Sequence, residues 1–347
     1  MALLIRAEDA ADIVTMEEAI DAVEAGFREL GDNAELNAPR RRVMTREGAR
    51  VSVHPGGVPS LGGIGVLAHS EFVATSRENQ TYDHAGRPCV VLFDTRDSSL
   101  KGVLVGRFGV KGVPATRATQ LRTSATSAVG TRHLAREDAA VLALLGAGAE
   151  AQYHLLAFAA IRNFTKVKLF CRTPETRTAF CEEMQPLVSC ELVPVDSARE
   201  AVRGADVVLT ATNSNVPVFD GSWLEPGVHV TSIVGGNVGL MNAGLIKQRR
   251  REIDDTTIER ADVIVANSRE QAVQDQQGDF YEPVEKGLLQ WDQVGDLSDL
   301  LTGRIPGRTA SDQITLFKNN AGQGVADIAI ASRIFVLASS REIGIEF

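Results

Sequence analysis

The stretch VLALLGAGAEA, residues 141–151, decides the fold of this chain. Five apolar residues run without interruption and end in the pattern G-x-G-x-x-A at residues 146–151. An unbroken apolar run indicates a strand that is buried on both faces. A helical spacing of apolar residues follows and continues to Arg162. The stretch therefore predicts a strand, a tight turn and a helix, the unit that opens a doubly wound α/β domain.

The same alternation continues towards the C-terminus. A helix is predicted from Pro174 onward, and further apolar strands are predicted at 166–171, 190–195, 206–211, 228–234, 262–267 and 315–318. Apolar strands that alternate with helices favour a parallel sheet covered on both faces. We therefore predict the fold class α/β, with a Rossmann-type doubly wound parallel sheet at residues 121–319.

The first 120 residues follow another pattern. Thr15 and Glu18 have the spacing of a capping box and predict a helix at about 16–30. Short strands are predicted at 50–54, 88–94 and 100–105, with a glycine- and proline-rich joint at 55–59 between the first two; their spacing favours an antiparallel sheet. Helices are also predicted at about 120–135 and 321–338. Residues 1–120 and 320–347 are therefore assigned to a mixed α+β domain, to which the last helix returns.

Composition narrows the possible partners. The 347 residues contain 44% hydrophobic and 23% charged residues, which is typical of a globular chain of about two domains. A net charge of −9 disfavours nucleic acid as a partner. We expect no membrane segment and no signal peptide, because the chain has no long apolar run. Four cysteines without a C-x-x-C pair favour reduced thiols, a cytoplasmic location and no metal site.

The glycine-rich turn is a candidate dinucleotide site. Its first small residue allows the tight turn, its second lets a pyrophosphate approach the backbone, and its third packs the helix on the strand. The alternative is a purely structural turn. The residues assigned to cofactor binding here are Gly146, Ala147, Gly148, Ala149 and Glu150.

The end of the next strand bears on the choice of cofactor. Arg172 and Thr173 stand where an acidic residue would bind the 2′-hydroxyl of NAD(H). A guanidinium and a hydroxyl suit a 2′-phosphate, so NADP(H) is favoured and NAD(H) remains possible. The alternative for Arg172 is an exposed residue that caps a strand end. Two later strand ends are further cofactor candidates, the second as the wall behind the nicotinamide: Thr210, Ala211 and Thr212, then Val234, Gly235 and Gly236.

Several motifs occur in the order found in one family. They are LRTSATSA at 121–128, LA at 134–135, the turn at 146–151, GADVV at 204–208, WLxPG at 223–227, VGG at 234–236, EID at 252–254, SREQA at 268–272 and ITLFK at 314–318. This series resembles the ornithine cyclodeaminase/mu-crystallin family. The resemblance implies a homodimer, a first domain that binds substrate and forms the dimer, and chemistry at a C–N bond next to a carboxylate.

The resemblance also assigns roles to individual residues. Arg122 matches the arginine that binds the substrate carboxylate; an arginine paired with an acid on a helix is the alternative. Thr123 is expected to bind the cofactor, at a phosphate or at the nicotinamide carboxamide. Lys318 is a weaker candidate for substrate binding. Two departures disfavour ornithine cyclisation. Residues 65–69 (GVLAH) lack the family lysine, and Asn237 replaces the catalytic aspartate; the connection 238–251 is also longer than usual.

Imine reduction tolerates these departures better, because it needs mainly hydride delivery and a proton donor. His69 is the candidate replacement donor, with a buried structural histidine as the alternative. The sequence thus predicts an NAD(P)-dependent oxidoreductase that acts on the C=N or CH–NH bond of a small amino or imino acid. A cyclodeaminase that recycles bound NAD and a non-catalytic NADPH-binding protein are the two rival hypotheses.

Overall fold

The computed structural model describes residues 2–73, 82–117, 119–236, 238–244, 247–320 and 323–347. The chain forms two compact units. The first unit comprises Met1–Thr126, Ala243–Ile246 and Gly322–Phe347, and the second comprises Ser127–Asn242 and Lys247–Ala321.

The first unit is built on a mixed sheet. Its strands are β1 (Leu3–Arg6), β2 (Arg41–Met44), β3 (Ala49–Val58), β4 (Gly63–Val73), β5 (Tyr82–Ala85), β6 (Cys89–Asp94), β7 (Leu100–Val105) and β16 (Ile345–Glu346). Their order is β16-β1-β7-β6-β4-β3-β2, with β5 paired to β4. Neighbouring strands are antiparallel except β1 and β7, which are parallel. The strands predicted at 50–54, 88–94 and 100–105 correspond to β3, β6 and β7, and the pairs β3–β4, β4–β6 and β6–β7 are antiparallel as expected. The parallel pair involves β1, which was not predicted from the sequence.

Two helices cover this sheet. They are α1 (Met16–Asp32) and α11 (Gly324–Ser340). Thr15 and Glu18 form the predicted capping box, in which each side chain accepts a hydrogen bond from the backbone N–H of the other residue. The return of the last helix to the first unit is also observed, since α11 packs on α1 and β3.

The predicted joint at 55–59 is largely part of a strand. β3 continues through Pro55, Gly56 and Gly57 to Val58 and pairs with the start of β4. Gly56 serves close packing rather than a turn, because a Cβ atom on it would overlap the backbone of Gly324 in α11.

The second unit is a parallel sheet with helices. Its strands are β8 (Val141–Leu145), β9 (Lys166–Phe170), β10 (Glu191–Pro194), β11 (Val207–Thr210), β12 (His229–Ser232), β13 (Val263–Ala266), β14 (Val294–Asp296) and β15 (Thr315–Lys318). Its helices are α3 (Ala149–Ala159), α4 (Pro174–Met184), α5 (Ala198–Val202), α6 (Val238–Asn242), α7 (Asp255–Arg260), α8 (Arg269–Gln274), α9 (Gly278–Glu285) and α10 (Leu297–Leu301). Helix α2 (Gln120–Leu134) begins in the first unit and ends in the second.

The strand order of this sheet is β10-β9-β8-β11-β12-β15-β13-β14, and all its pairs are parallel. The predicted doubly wound parallel sheet is thus confirmed. The order reverses between β8 and β11, so the chain leaves these two strands in opposite directions. In such folds ligands bind at the carboxyl ends of the strands beside this reversal. Among the described residues, none of the helices combines the length and apolar character that a bilayer crossing requires.

Candidate functional site

The turn after β8 has a geometry that only glycine permits at its first position. Gly146 has φ +124°, and a Cβ atom there would overlap the carbonyl oxygen of Ala211 at the end of β11. Its N–H donates to the carbonyl of Phe170, the last residue of β9, at 2.8 Å. The turn therefore lies at the strand reversal and is held to the strands on both sides.

The next positions of the turn fit a phosphate group. Gly148 precedes α3 with φ −97°, and a Cβ atom placed on it would meet no atom within 4 Å. Gly148, the residue that precedes α3, has no side chain of its own to cap this helix. Ala151, the third small residue of the pattern, is fully buried against the sheet. Since backbone N–H groups at a helix start attract anions, the open space beside Gly148 suits the pyrophosphate of a dinucleotide. Ala149 and Glu150 form the first turn of α3.

The end of β9 presents an exposed cation. Arg172 and Thr173 are both exposed, and Thr173 is the residue that precedes α4. Among the described residues Arg172 has no hydrogen-bond or ion-pair partner. Its guanidinium is therefore available to a ligand at the same edge of the sheet as the glycine-rich turn.

Glu252 holds the ends of β11 and β12 together. Its carboxylate accepts hydrogen bonds from the Thr210 hydroxyl at 3.0 Å and from the backbone N–H groups of Thr212, Ile233 and Val234 at 2.6, 3.1 and 2.8 Å. Glu252 is fully buried, and burial raises the pKa of its carboxyl, although Lys318 opposes this effect. Glu252 is the first residue of the EID motif at 252–254, but the motif alone indicates no role for it.

This arrangement changes the roles expected of Thr210 and Thr212. Thr210 is fully buried, and the hydroxyls of both residues donate to Glu252. They fix the strand ends rather than point towards a ligand. Val234 is buried as well, and its carbonyl accepts a hydrogen bond from Gln277. A Cβ atom on Gly236 would overlap Asp275, so this glycine allows a close backbone approach.

Lys318 lies in a closed polar cluster of the second unit. Its ammonium donates to Asp279 at 2.6 Å and to the Ser232 hydroxyl at 2.8 Å, and Lys318 and Asp279 are both fully buried. Breaking a buried pair of this kind is costly, because the remaining charge has no partner. The geometry therefore does not support the prediction that Lys318 binds substrate.

Arg122 lies in the first turn of α2 within the first unit. Only 4% of its surface is exposed, and its Nε donates to Asp327 of α11 at 3.0 Å. Asp327 also accepts a hydrogen bond from Nδ1 of His54 at 2.8 Å. Thr123 is buried, and its hydroxyl donates to the carbonyl of Thr119.

A pocket of the first unit reaches this cluster. Its polar lining includes Arg122 and Asp327, and apolar side chains of β4, β6, β7, α2 and α11 form its walls. They include Leu67, Val90, Leu104, Leu121, Ile330 and Ile334. A charged donor in the lining of a largely apolar pocket is suited to a small molecule with one carboxylate.

His69 is placed beside this cluster but is not a charged group. It lies in β4, its ring packs edge-on against His54 at 5.1 Å between centroids, and its Nδ1 is 3.7 Å from Glu71. Burial and the neighbouring His54 lower the pKa of His69 to about 3. A neutral imidazole is a poor proton donor, and the role of His69 as the donor stays a prediction. Asn237 lies outside the described residues.

Comparisons with known proteins agree with this architecture. The family model described as "Ornithine cyclodeaminase/mu-crystallin family" matches residues 2–342. The chain is 33% identical over 232 residues to a Delta(1)-pyrroline-2-carboxylate reductase of Bacillus cereus, covering 66% of this chain and 67% of that protein. It is 30% identical over 246 residues to the ketimine reductase mu-crystallin of Rattus norvegicus, covering 71% and 68%.

A solved structure resembles the whole chain. It is the Delta(1)-pyrroline-2-carboxylate reductase of Thermococcus litoralis in complex with NADH and L-proline, with a TM-score of 0.83 and 25% identity over 99% of this chain and 100% of that one. Because the family model covers nearly every residue, the protein belongs to the ornithine cyclodeaminase/mu-crystallin family.

Proposed function

We propose that the protein is an NAD(P)H-dependent reductase of a small imino acid whose carbon–nitrogen double bond adjoins a carboxylate. The observation that carries this proposal is the buried guanidinium of Arg122 in the lining of a largely apolar pocket, with Nη1 unpaired among the described residues. Two relatives support it by their names, pyrroline-2-carboxylate reductase and ketimine reductase.

The residues of the first unit would bind and orient the substrate. The Nη atoms of Arg122 would pair with the substrate carboxylate, a planar contact that also fixes the position of the adjacent imine carbon. The apolar walls of the pocket would accommodate the carbon chain and exclude water. The imine nitrogen would take up its proton from solvent before binding, and a reduced nicotinamide would supply the hydride to the imine carbon. The apolar walls suit a small carbon ring such as that of pyrroline-2-carboxylate.

The residues of the second unit would bind the cofactor. The glycine-rich turn and the start of α3 would hold the pyrophosphate, and the segment around Gly235 and Gly236 would lie against the nicotinamide. We further propose that NADP(H) is preferred over NAD(H), because the exposed Arg172 and Thr173 can bind a 2′-phosphate and neither repels it. We also propose that the protein is a cytoplasmic homodimer. The four cysteines of the chain are free thiols, which agrees with a reducing compartment. Size-exclusion chromatography with light scattering tests the dimer.

The decisive experiment follows NADPH and NADH oxidation with a panel of cyclic and linear imino acids. We expect turnover of a cyclic α-imino acid, and we expect Arg122→Lys to lower kcat/KM by roughly 10- to 100-fold, because lysine keeps the charge but loses the two-point contact. Failure of every imino acid would refute the proposal. Ammonia release from ornithine or lysine without NADH accumulation would indicate a cyclodeaminase instead.

The cofactor preference has its own test. Arg172→Ala should raise the Kd for NADPH by about tenfold or more and change that for NADH by less than about twofold, because one charge-assisted contact is lost only with NADPH. Arg203→Ala is the matched control, since Arg203 is exposed and precedes β11 at the opposite edge of the sheet. Equal affinities for both cofactors in the wild type would refute the preference and leave the reductase proposal intact.

A further inference from the structure

Asp327 occupies the centre of a buried three-residue cluster in the first unit. Its Oδ1 accepts a hydrogen bond from Nε of Arg122 at 3.0 Å, and its Oδ2 accepts one from Nδ1 of His54 at 2.8 Å. The exposed fraction of each of the three side chains is 4% or less. Asp327 and His54 belong to none of the motifs found in the sequence.

The charge state of the cluster follows from its contacts. Burial would raise the pKa of the Asp327 carboxyl, but Arg122 and His54 outweigh burial and hold it below its usual value. Burial lowers the pKa of His54, against the opposing effect of Asp327. The cluster at neutral pH is therefore an ionised carboxylate between a guanidinium and a neutral imidazole. Because an ionised carboxylate only accepts, Nδ1 of His54 carries the proton.

The nitrogen atoms of the Arg122 guanidinium differ in whether they are already paired. Asp327 engages Nε, which leaves the terminal Nη atoms for other contacts. Nη1 is buried and has no hydrogen-bond partner among the described residues. Leaving a hydrogen-bond donor of a charged group buried and unpaired costs free energy of folding. Neighbouring residues must therefore hold Arg122 in this position.

We propose that Asp327, itself held by His54, is a positioning residue that fixes the guanidinium of Arg122 for the substrate carboxylate. Arginine has many rotamers, and the entropy lost when a free side chain is ordered reduces affinity. Asp327 removes most of this loss before the substrate binds. The inference rests on the proposed function, since it takes Arg122 as the group that binds the carboxylate.

The test compares Asp327→Asn with Ser332→Ala. Ser332 lies on the same helix and is equally buried, and its hydroxyl has no hydrogen-bond partner among the described residues, so its loss should change nothing. The probe is L-proline, titrated by calorimetry in the presence of NADH, together with KM and kcat for the best imino acid. For Asp327→Asn we expect Kd and KM to rise by about tenfold, the value of one hydrogen bond to a charged group, with kcat changed by less than about threefold.

A double variant separates positioning from general stability. If Asp327 acts through Arg122, adding Asp327→Asn to Arg122→Lys should change the Kd for L-proline by less than about twofold. If Asp327→Asn does not fold, His54→Leu removes the second support of the carboxylate and should raise the same Kd to a smaller extent. The Kd for NADH should stay at its wild-type value in each folded variant.

The outcomes distinguish this inference from the proposed function. A wild type that reduces an imino acid, with an unchanged Kd in Asp327→Asn, overturns the inference alone. A lower Kd in that variant would show that Asp327 competes with the substrate for Arg122, and it overturns the inference as well. A wild type that neither reduces an imino acid nor binds L-proline refutes both.

Discussion

Replacing either glycine of the turn after β8 by alanine tests whether the turn binds a dinucleotide. The structure gives the two substitutions different expected effects. Gly146 has φ +124° and no room for a Cβ atom, whereas Gly148 has φ −97° and nothing within 4 Å of an added Cβ. Gly146→Ala therefore perturbs the fold, and Gly148→Ala perturbs only what lies in the open space beside it.

The magnitudes follow from these geometries. A non-glycine residue in such a backbone conformation costs on the order of 1–3 kcal/mol, and the overlap with the Ala211 carbonyl adds a forced shift of backbone. A total near 3 kcal/mol lowers the Tm of a unit of this size by roughly 6–12 °C. Gly148→Ala should leave Tm unchanged or raise it slightly, because alanine lowers the conformational entropy of the unfolded chain and so stabilises the folded state by about 0.4–1 kcal/mol.

The affinity for the cofactor should respond to Gly148→Ala although the stability does not. A methyl group at Gly148 would occupy the space proposed for the pyrophosphate, so we expect the Kd for NADPH to rise by at least about tenfold in a protein of wild-type stability. Circular dichroism during heating and nicotinamide fluorescence measure the two quantities. A wild-type Kd in Gly148→Ala would refute the assignment of this turn to the pyrophosphate and favour a purely structural turn.

Three further predictions concern stability, each measured by urea unfolding. Glu252→Gln should cost about 2–4 kcal/mol, because an amide cannot accept every hydrogen bond now made to the carboxylate, while the exposed Glu259→Gln should cost less than about 0.5 kcal/mol. Burial, together with nearby arginines, lowers the pKa of His229 to about 3, so the unfolded chain binds a proton that the folded chain does not. The free energy of unfolding should therefore fall by about 1.4 kcal/mol per pH unit below pH ~6.5 because of His229, and His229→Gln should remove this contribution. The same dependence on pH in the variant and the wild type would contradict the low pKa of His229. Thr15→Ala should cost about 1 kcal/mol through loss of the cap of α1, and no loss would show that the capping box contributes nothing.

The sequence predicted those elements whose signals are local. The unit from β8 to α3 was recognisable because a buried strand, glycines at fixed spacing and a helix follow one another within 20 residues. The capping box at Thr15 was recognisable for the same reason. The strands β1 and β2 carry no such signal, because they are short and partly exposed. The joint at 55–59 was misread because the same glycines that permit turns also permit a helix to approach a strand.

The polar clusters could not be predicted, because their partners are far apart in the chain. Asp327 lies 205 residues from Arg122 and 273 from His54. Glu252 reaches backbone groups at the ends of two other strands. One weak signal was available: Asp327 is an isolated carboxylate within an alanine-rich, largely apolar helix. A lone charge on a buried helix face requires a partner, although the sequence does not say which.

The distinction between binding and structural charges depends on which atoms are already paired, not on residue type. Lys318 and Arg122 are both buried cations that contact an aspartate, and both were predicted from the sequence to bind the substrate. In the Lys318 cluster the ammonium contacts Asp279 and Ser232, and the whole group is fully buried, so a substrate would have to break an ion pair. In the Arg122 cluster the aspartate occupies only Nε, and Nη1 remains unpaired among the described residues beside a pocket. The first arrangement stabilises the sheet, and the second leaves a hydrogen-bond donor for a carboxylate, which is why the proposal assigns substrate binding to Arg122 alone.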